Sequence, residues 1–152
     1  MHTENFQWEK EGYLLSTDQA LLDIDCIHDY LSNHSYWAKG IPRETVSRSI
    51  NHSLCFGLYC HGKQTGFARV ISDFATYAYL ADVFILPAHR GKGLSKWMIE
   101  VILAHPWLQG LRRFVLATKD AHGLYEQFGF RAYADPDRLM CRHDPDVYIS
   151  KR

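Results

Sequence analysis

The sequence predicts a mixed α/β fold, a mostly antiparallel central sheet flanked by helices. Three observations carry this. SLCFGLYC (53–60), TGFARVIS (65–72) and YAYLADVFIL (77–86) are β-patterned runs separated only by the short turns HGKQ and DFAT. That spacing makes three adjacent antiparallel strands. Next, Leu94, Trp97, Met98, Val101 and Ile102 recur at i, i+3, i+4, i+7 and i+8, the period of an amphipathic helix. Third, strand-like and helix-like runs alternate from there to the C-terminus.

Taken in order, GYLLSTD (12–18) reads as a short strand ending in a polar turn. DIDCIHDYL (23–31) places Ile24, Ile27, His28 and Leu31 at helical spacing, with Asp23 as its cap. NHSYWAKGIP (33–42) is a loop with two aromatics. RETVSRSI (43–50) is helical, with Val46 and Ile50 one turn apart. After the three strands and the helix, which HPWLQG ends, LRRFVLAT (111–118) is a short strand. DAHGLYEQFGF (120–130) is a short helix closed by Gly129. The tail FRAYADPDRLMCRHDPDVYI reads as one or two final strands, broken at Asp135-Pro136 and Asp144-Pro145. No repeat interrupts this order, and residues 1–152 are expected to form a single domain.

Composition narrows the function. The chain has 152 residues, 47% of them hydrophobic, enough for a core. Basic and acidic residues balance at 17 each, which argues against binding nucleic acid through bulk charge. No stretch approaches 18 uninterrupted apolar residues, and the polar MHTENFQWEKEG start is unlike an export signal, so a cytoplasmic location is expected and no membrane partner. The four cysteines are then expected as reduced thiols. Cys55, Cys60 and His61 lack a second ligand pair at zinc-site spacing, so no metal is expected.

PAHRGKGLSKW (87–97) is the most informative stretch. It lies between the longest strand and the strongest helix. Neither the P-loop frame nor the dinucleotide fingerprint fits it. The physical logic survives: glycines let successive N–H groups converge on one point, and the helix beginning near Leu94 aims its positive end there. Arg90 and Lys92 add charge. A diphosphate suits such a site; a plain strand-to-helix turn with solvated basic residues is the alternative.

R-G-K-G-L-S after a strand ending in V-F-I-L-P, followed some thirty residues later by A-H-G-L-Y-E-Q-F-G-F, resembles the GNAT acetyltransferase superfamily. Arg90, Gly91, Lys92, Gly93 and Leu94 match its loop motif in order. Ser95 stands where glycine or alanine is usual, and Thr118 where an asparagine is common. The resemblance is good over residues 53–131. It implies the fold, acetyl-CoA as co-substrate, and an N-acetyltransferase activity by direct transfer to an amine. It places the pyrophosphate on the N–H groups of residues 90–95 and the pantetheine arm along Val83, Phe84 and Ile85, paired with the backbone of Val83 and Ile85 like an added strand. Tyr125 matches the tyrosine that protonates the leaving thiolate.

Acetyl transfer needs a base for the amine, a donor for the oxyanion and an acid for the thiolate. A phenol of pKa about 10 is a workable acid towards a thiolate of about 8.5 or above; alternatively, Tyr125 packs with Phe128 and Phe130 as core. Asp82 is an acidic residue in an otherwise apolar strand, on the same face as Phe84. It is a candidate base or amine-binding anion, or else the ion-pair partner of Arg69 on the next strand. The oxyanion donor is expected to be a backbone N–H near Ile85. His89 and His122 lie near the site and could relay protons or be incidental. Tyr36 and Trp37 are candidates for the acceptor wall, or for packing of their loop onto the sheet.

The partner expected is a small-molecule amine rather than a protein; a homodimer is left open. The competing function is a non-catalytic acyl-CoA-binding or regulatory module of the same fold, which a Tyr125 too distant from the thiol would favour. An unrelated interaction domain, unable to retain CoA, is the remaining class.

Overall fold

The structure is a computed structural model that describes residues 3–150. Its centre is a six-stranded sheet in the order β1-β2-β3-β4-β5-β6. The strands are β1 (Gln7–Lys10), β2 (Tyr13–Ser16), β3 (Leu54–Cys60), β4 (Lys63–Ser72), β5 (Tyr77–Ile85) and β6 (Arg113–Leu116). Every neighbouring pair is antiparallel except β5 and β6, which run parallel from Tyr77↔Arg113 to Leu80↔Leu116. The mixed, mostly antiparallel sheet expected from the sequence is therefore present.

The helices split between the two faces. On one, α3 (Leu94–Ala104) buries Leu94, Trp97, Met98, Ile99, Val101 and Ile102 against Phe56, Leu58, Ala68, Val70, Ala78 and Leu80. Each large side chain so buried stabilises the fold by roughly 1.5–3 kcal/mol. Short α4 (His122–Glu126) adds Tyr125 to the same core. On the other face, α1 (Ile24–Asp29) and α2 (Arg43–Asn51) bury Ile27, Val46 and Ile50 against Cys55, Phe67 and Phe84. Asp23 caps α1 as expected, accepting from the Cys26 N–H at 3.1 Å.

Two elements differ from the sequence reading. Gln7–Lys10 is a strand, β1, although its residues are mostly polar and exposed. Pairing with β2 and the Trp8 ring, stacked 6.3 Å from Phe56, hold it. The tail forms no final strand: residues 131–146 are all exposed, with one 3₁₀ turn at Pro136–Arg138, before α5 (Val147–Ser150). The apolar residues of that segment suggested a strand, but among the described residues no strand pairs with it. All four cysteines are free thiols.

Candidate active site: a forked sheet edge beside a cradle of amides

The site begins where β5 and β6 part. Their pairing stops at Leu80↔Leu116, while β5 continues to Ile85. A bulge marks the divergence. Phe67 pairs with Phe84 and Arg69 with Ala81, so Ala68 alone opposes both Asp82 and Val83. Asp82 takes a left-handed conformation, φ 56°. Beyond the bulge the Leu86 N–H donates to the Thr65 carbonyl at 2.8 Å, across to β4. By strand alternation, the backbone groups of Val83 and Ile85 then face away from β4, into the fork. Phe84 turns its backbone to β4, and its ring stacks on Tyr30 at 4.1 Å in the second core, so it reaches the fork with neither.

The glycine stretch closes one end of the fork. Gly91 and Gly93 have φ of 79° and 75°, and a Cβ on either would meet nothing within 4 Å. The first helical bond of α3 joins the Trp97 N–H to the Gly93 carbonyl, so the amides of Leu94, Ser95 and Lys96 have no partner within the helix. These residues line an open groove of about 350 Å³ with Ile85, His89, Arg90 and Leu124. Free amides at the positive end of an eleven-residue helix suit an anion. A diphosphate, and the amide-bearing arm leading from it along the fork, fit the groups present.

The basic side chains of the loop are exposed, Arg90 lining the groove itself, and they also tie the loop to the rest of the fold. The Arg90 Nε donates to the Ile85 carbonyl at 2.8 Å, and an Nη to the Tyr30 hydroxyl at 3.0 Å. This leaves the Ile85 N–H, but not its carbonyl, open on the fork side. Lys92 reaches the Tyr13 hydroxyl at 3.4 Å, which also bonds His89 Nδ1 at 2.7 Å. Tyr13 and Tyr30 thus anchor the loop from elements far away in sequence. Nothing local in the chain signals either role.

Tyr125 lies in α4, 8% exposed, with its ring 5.9 Å from Phe130 in edge contact. Burial, and secondly the charge of nearby Tyr36, push its pKa up to about 12. Its hydroxyl makes no hydrogen bond among the described residues. Thr118 accepts from the Ala121 N–H at 3.0 Å and so caps the turn into α4.

Each oxygen of Asp82 accepts a hydrogen bond from another side chain. One carboxylate oxygen accepts from Arg69 Nε at 2.8 Å, the other from the Trp37 indole N–H at 2.9 Å. The side chains of Asp82 and Arg69 are only 9% and 15% exposed. Arg69 also donates to Ser53 at 3.1 Å. Tyr36 and Trp37, in edge contact at 5.1 Å, strap the fork from the second face. Trp37 holds Asp82 on β5, and the Tyr36 hydroxyl accepts from the Lys119 N–H, just past β6, at 3.0 Å.

A sheet that forks beside a cluster of amides at a helix start has the shape and the donors to suit an extended, phosphate-ended ligand. The sequence model described as an acetyltransferase (GNAT) domain matches residues 51–132. A Gibberella zeae protein described as a candidate acetyltransferase is 35% identical over 90% of this chain and 89% of its own. The crystal structure of a GNAT-family protein from Xanthomonas campestris pv. campestris shares 54% identity and superposes with a TM-score of 0.91, covering 93% of this chain and all of that one. A Clostridium acetobutylicum protein solved with acetyl-CoA shares the fold at 14% identity, TM-score 0.57, over 81% of this chain and 91% of its own. The chain belongs to the GNAT acetyltransferase family and is an N-acetyltransferase.

Proposed function

We propose that the chain moves the acetyl group of acetyl-CoA directly to the amine of a small molecule. The observation that carries this is the fork: β5 runs on past the end of its pairing with β6, and its Ile85 lines one groove with the amides at the start of α3 and with Leu124, the neighbour of Tyr125 in α4. Acetyl-CoA, when bound, supplies the activated acetyl group. The amides of residues 91–96 hold the diphosphate, and Val83 and Ile85 orient the arm. The Ile85 N–H, free on the fork side, is placed to donate to the developing oxyanion. The amine nitrogen gains the acetyl carbon and loses a proton; the sulfur loses the carbon and takes a proton from Tyr125. A phenol with its pKa pushed up to about 12 stays protonated at neutral pH, as an acid must. Asp82 is held in an ion pair with Arg69 and by the Trp37 indole, so in this reading the amine proton leaves to water rather than to this carboxylate. Four free thiols suit a reducing compartment, and no described helix is long and apolar enough to cross a membrane; we place the reaction in the cytoplasm.

Thermal unfolding with and without acetyl-CoA tests the cradle. Ligand that binds only the folded chain raises Tm. Gly93→Asn tolerates the left-handed φ and should keep the shift, whereas Gly93→Glu, which aims a carboxylate at the diphosphate, should abolish it. A full shift in a folded Gly93→Glu variant would place the phosphates elsewhere. A shift without release of free thiol to any amine would favour a binding module.

A further inference from the structure

We infer that the acceptor amine also carries a carboxylate, and that Lys119 and the Tyr36 hydroxyl receive it. This deepens the transfer reading and rests on it. Exposed aromatic rings and a carboxylate are the usual equipment for a cationic amine. Both are present at the fork, and both are used internally. The face of the Tyr36 ring carries the Lys119 ammonium, 5.3 Å from the ring centre. The Asp82 oxygens are taken by Arg69 and Trp37. Asp82 is thus balanced by Arg69, and the exposed Asp120 is matched by Lys119 beside it in the chain, so the strap carries no net negative charge to draw a second ammonium.

Two donors remain. The Lys119 side chain is exposed and forms no ion pair among the described residues, its chain neighbour Asp120 included. The Tyr36 oxygen accepts from the Lys119 N–H, which leaves its own proton to donate outward. A charged and a neutral donor, brought together on the strap that ties β5 to the segment after β6, match the two oxygens of a carboxylate. An α-amino acid carries its amine one carbon from that group. Its side chain can lie on the exposed rings of Tyr36 and Trp37, 55% and 41% exposed. A polyamine would instead set an ammonium against Lys119.

The experiment measures free-thiol release from acetyl-CoA with phenylalanine, phenylalaninamide, phenethylamine and spermidine, then with other α-amino acids and their amides. With kcat/KM referred to the neutral amine, since an α-amino amide is a weaker base than its acid, the acids should exceed their amides by about 10-fold or more, the scale of one charge-assisted hydrogen bond, with spermidine lowest. Lys119→Gln should bring acid and amide to near parity, and Lys119→Arg should restore the preference. Wild-type preference for the amides or for spermidine would overturn the assignment. So would an acid preference that survives Lys119→Gln. Turnover of no amine, while acetyl-CoA still raises Tm, would overturn the transfer reading beneath it as well.

Discussion

Replacing Tyr125 by Phe isolates the chemical role of one hydroxyl. The ring is buried and in edge contact with Phe130 at 5.9 Å, and Phe keeps both. The hydroxyl makes no hydrogen bond among the described residues, so its loss orphans no partner, and stability at neutral pH should move by no more than about 0.5 kcal/mol. If that hydroxyl protonates the thiolate, kcat should fall by about 10²-fold or more, which corresponds to about 2.7 kcal/mol of barrier. Binding of acetyl-CoA should persist, because its contacts lie on β5 and at the start of α3. The folded pKa of about 12 lies above that of a free phenol. The stability this shift brings is complete below the unfolded pKa of about 10 and is lost as pH climbs towards 12. The Phe variant should escape that alkaline loss. Single-turnover thiol release measures the chemical step, calorimetry measures acetyl-CoA affinity, and Tm against pH reads the linkage. A Phe variant with wild-type kcat, where chemistry limits the rate, would remove the acid role assigned to Tyr125 and leave the fold untouched.

Two other substitutions separate structure from chemistry. Asp82→Asn keeps a residue tolerant of φ 56° but turns an amide N–H₂ or an uncharged oxygen towards Arg69, which is 15% exposed. Breaking a buried pair from one side costs about 3–5 kcal/mol. Tm should fall steeply, while the folded variant keeps the wild-type shape of kcat/KM against pH; an unchanged Tm with a displaced acid limb would make Asp82 the base after all. Gly57→Ala should destabilise by roughly 1–3 kcal/mol in urea unfolding, because its Cβ would run into the buried Tyr59 phenol. Wild-type stability in that variant would mean the Tyr59 ring has room to move.

How much of this was legible in the chain depends on how local each cause is. The meander and α3 are written in short-range periodicity, because Phe56, Leu58, Val70 and Leu80 alternate to one face and Leu94 to Ile102 repeat at helical spacing. β1 escaped because Gln7, Glu9 and Lys10 carry no apolar alternation; its pairing with β2 and the Trp8 contacts with Phe56 and His105, 48 and 97 positions on, hold it. The tail erred the other way, since Leu139, Met140 and Cys141 look strand-like but stand 59% exposed, 94% exposed and exposed. Pattern reports what a segment could bury, not whether a neighbour exists.

At the site the same distinction decides what each residue can do. The glycine cradle was readable because glycines, helix start and strand end are consecutive. The state of Asp82 was not, since it is set by a bulge opposite Ala68 and by Trp37, 45 positions earlier. A carboxylate in an apolar strand raises two readings, base or ion pair, and only its neighbours choose. Here Arg69 and Trp37 occupy both oxygens, and Trp37 in turn fixes the loop that carries Tyr36 to Lys119. The residue that sequence offered as a base, an amine-binding anion or the ion-pair partner of Arg69 forms that ion pair and is one post of the strap. Where water takes the amine proton, as the proposed reading has it, turnover should depend on how much of the acceptor is already neutral. Amines of lower pKa should then react faster at a given pH, until the loss of nucleophilicity outweighs the gain in free base.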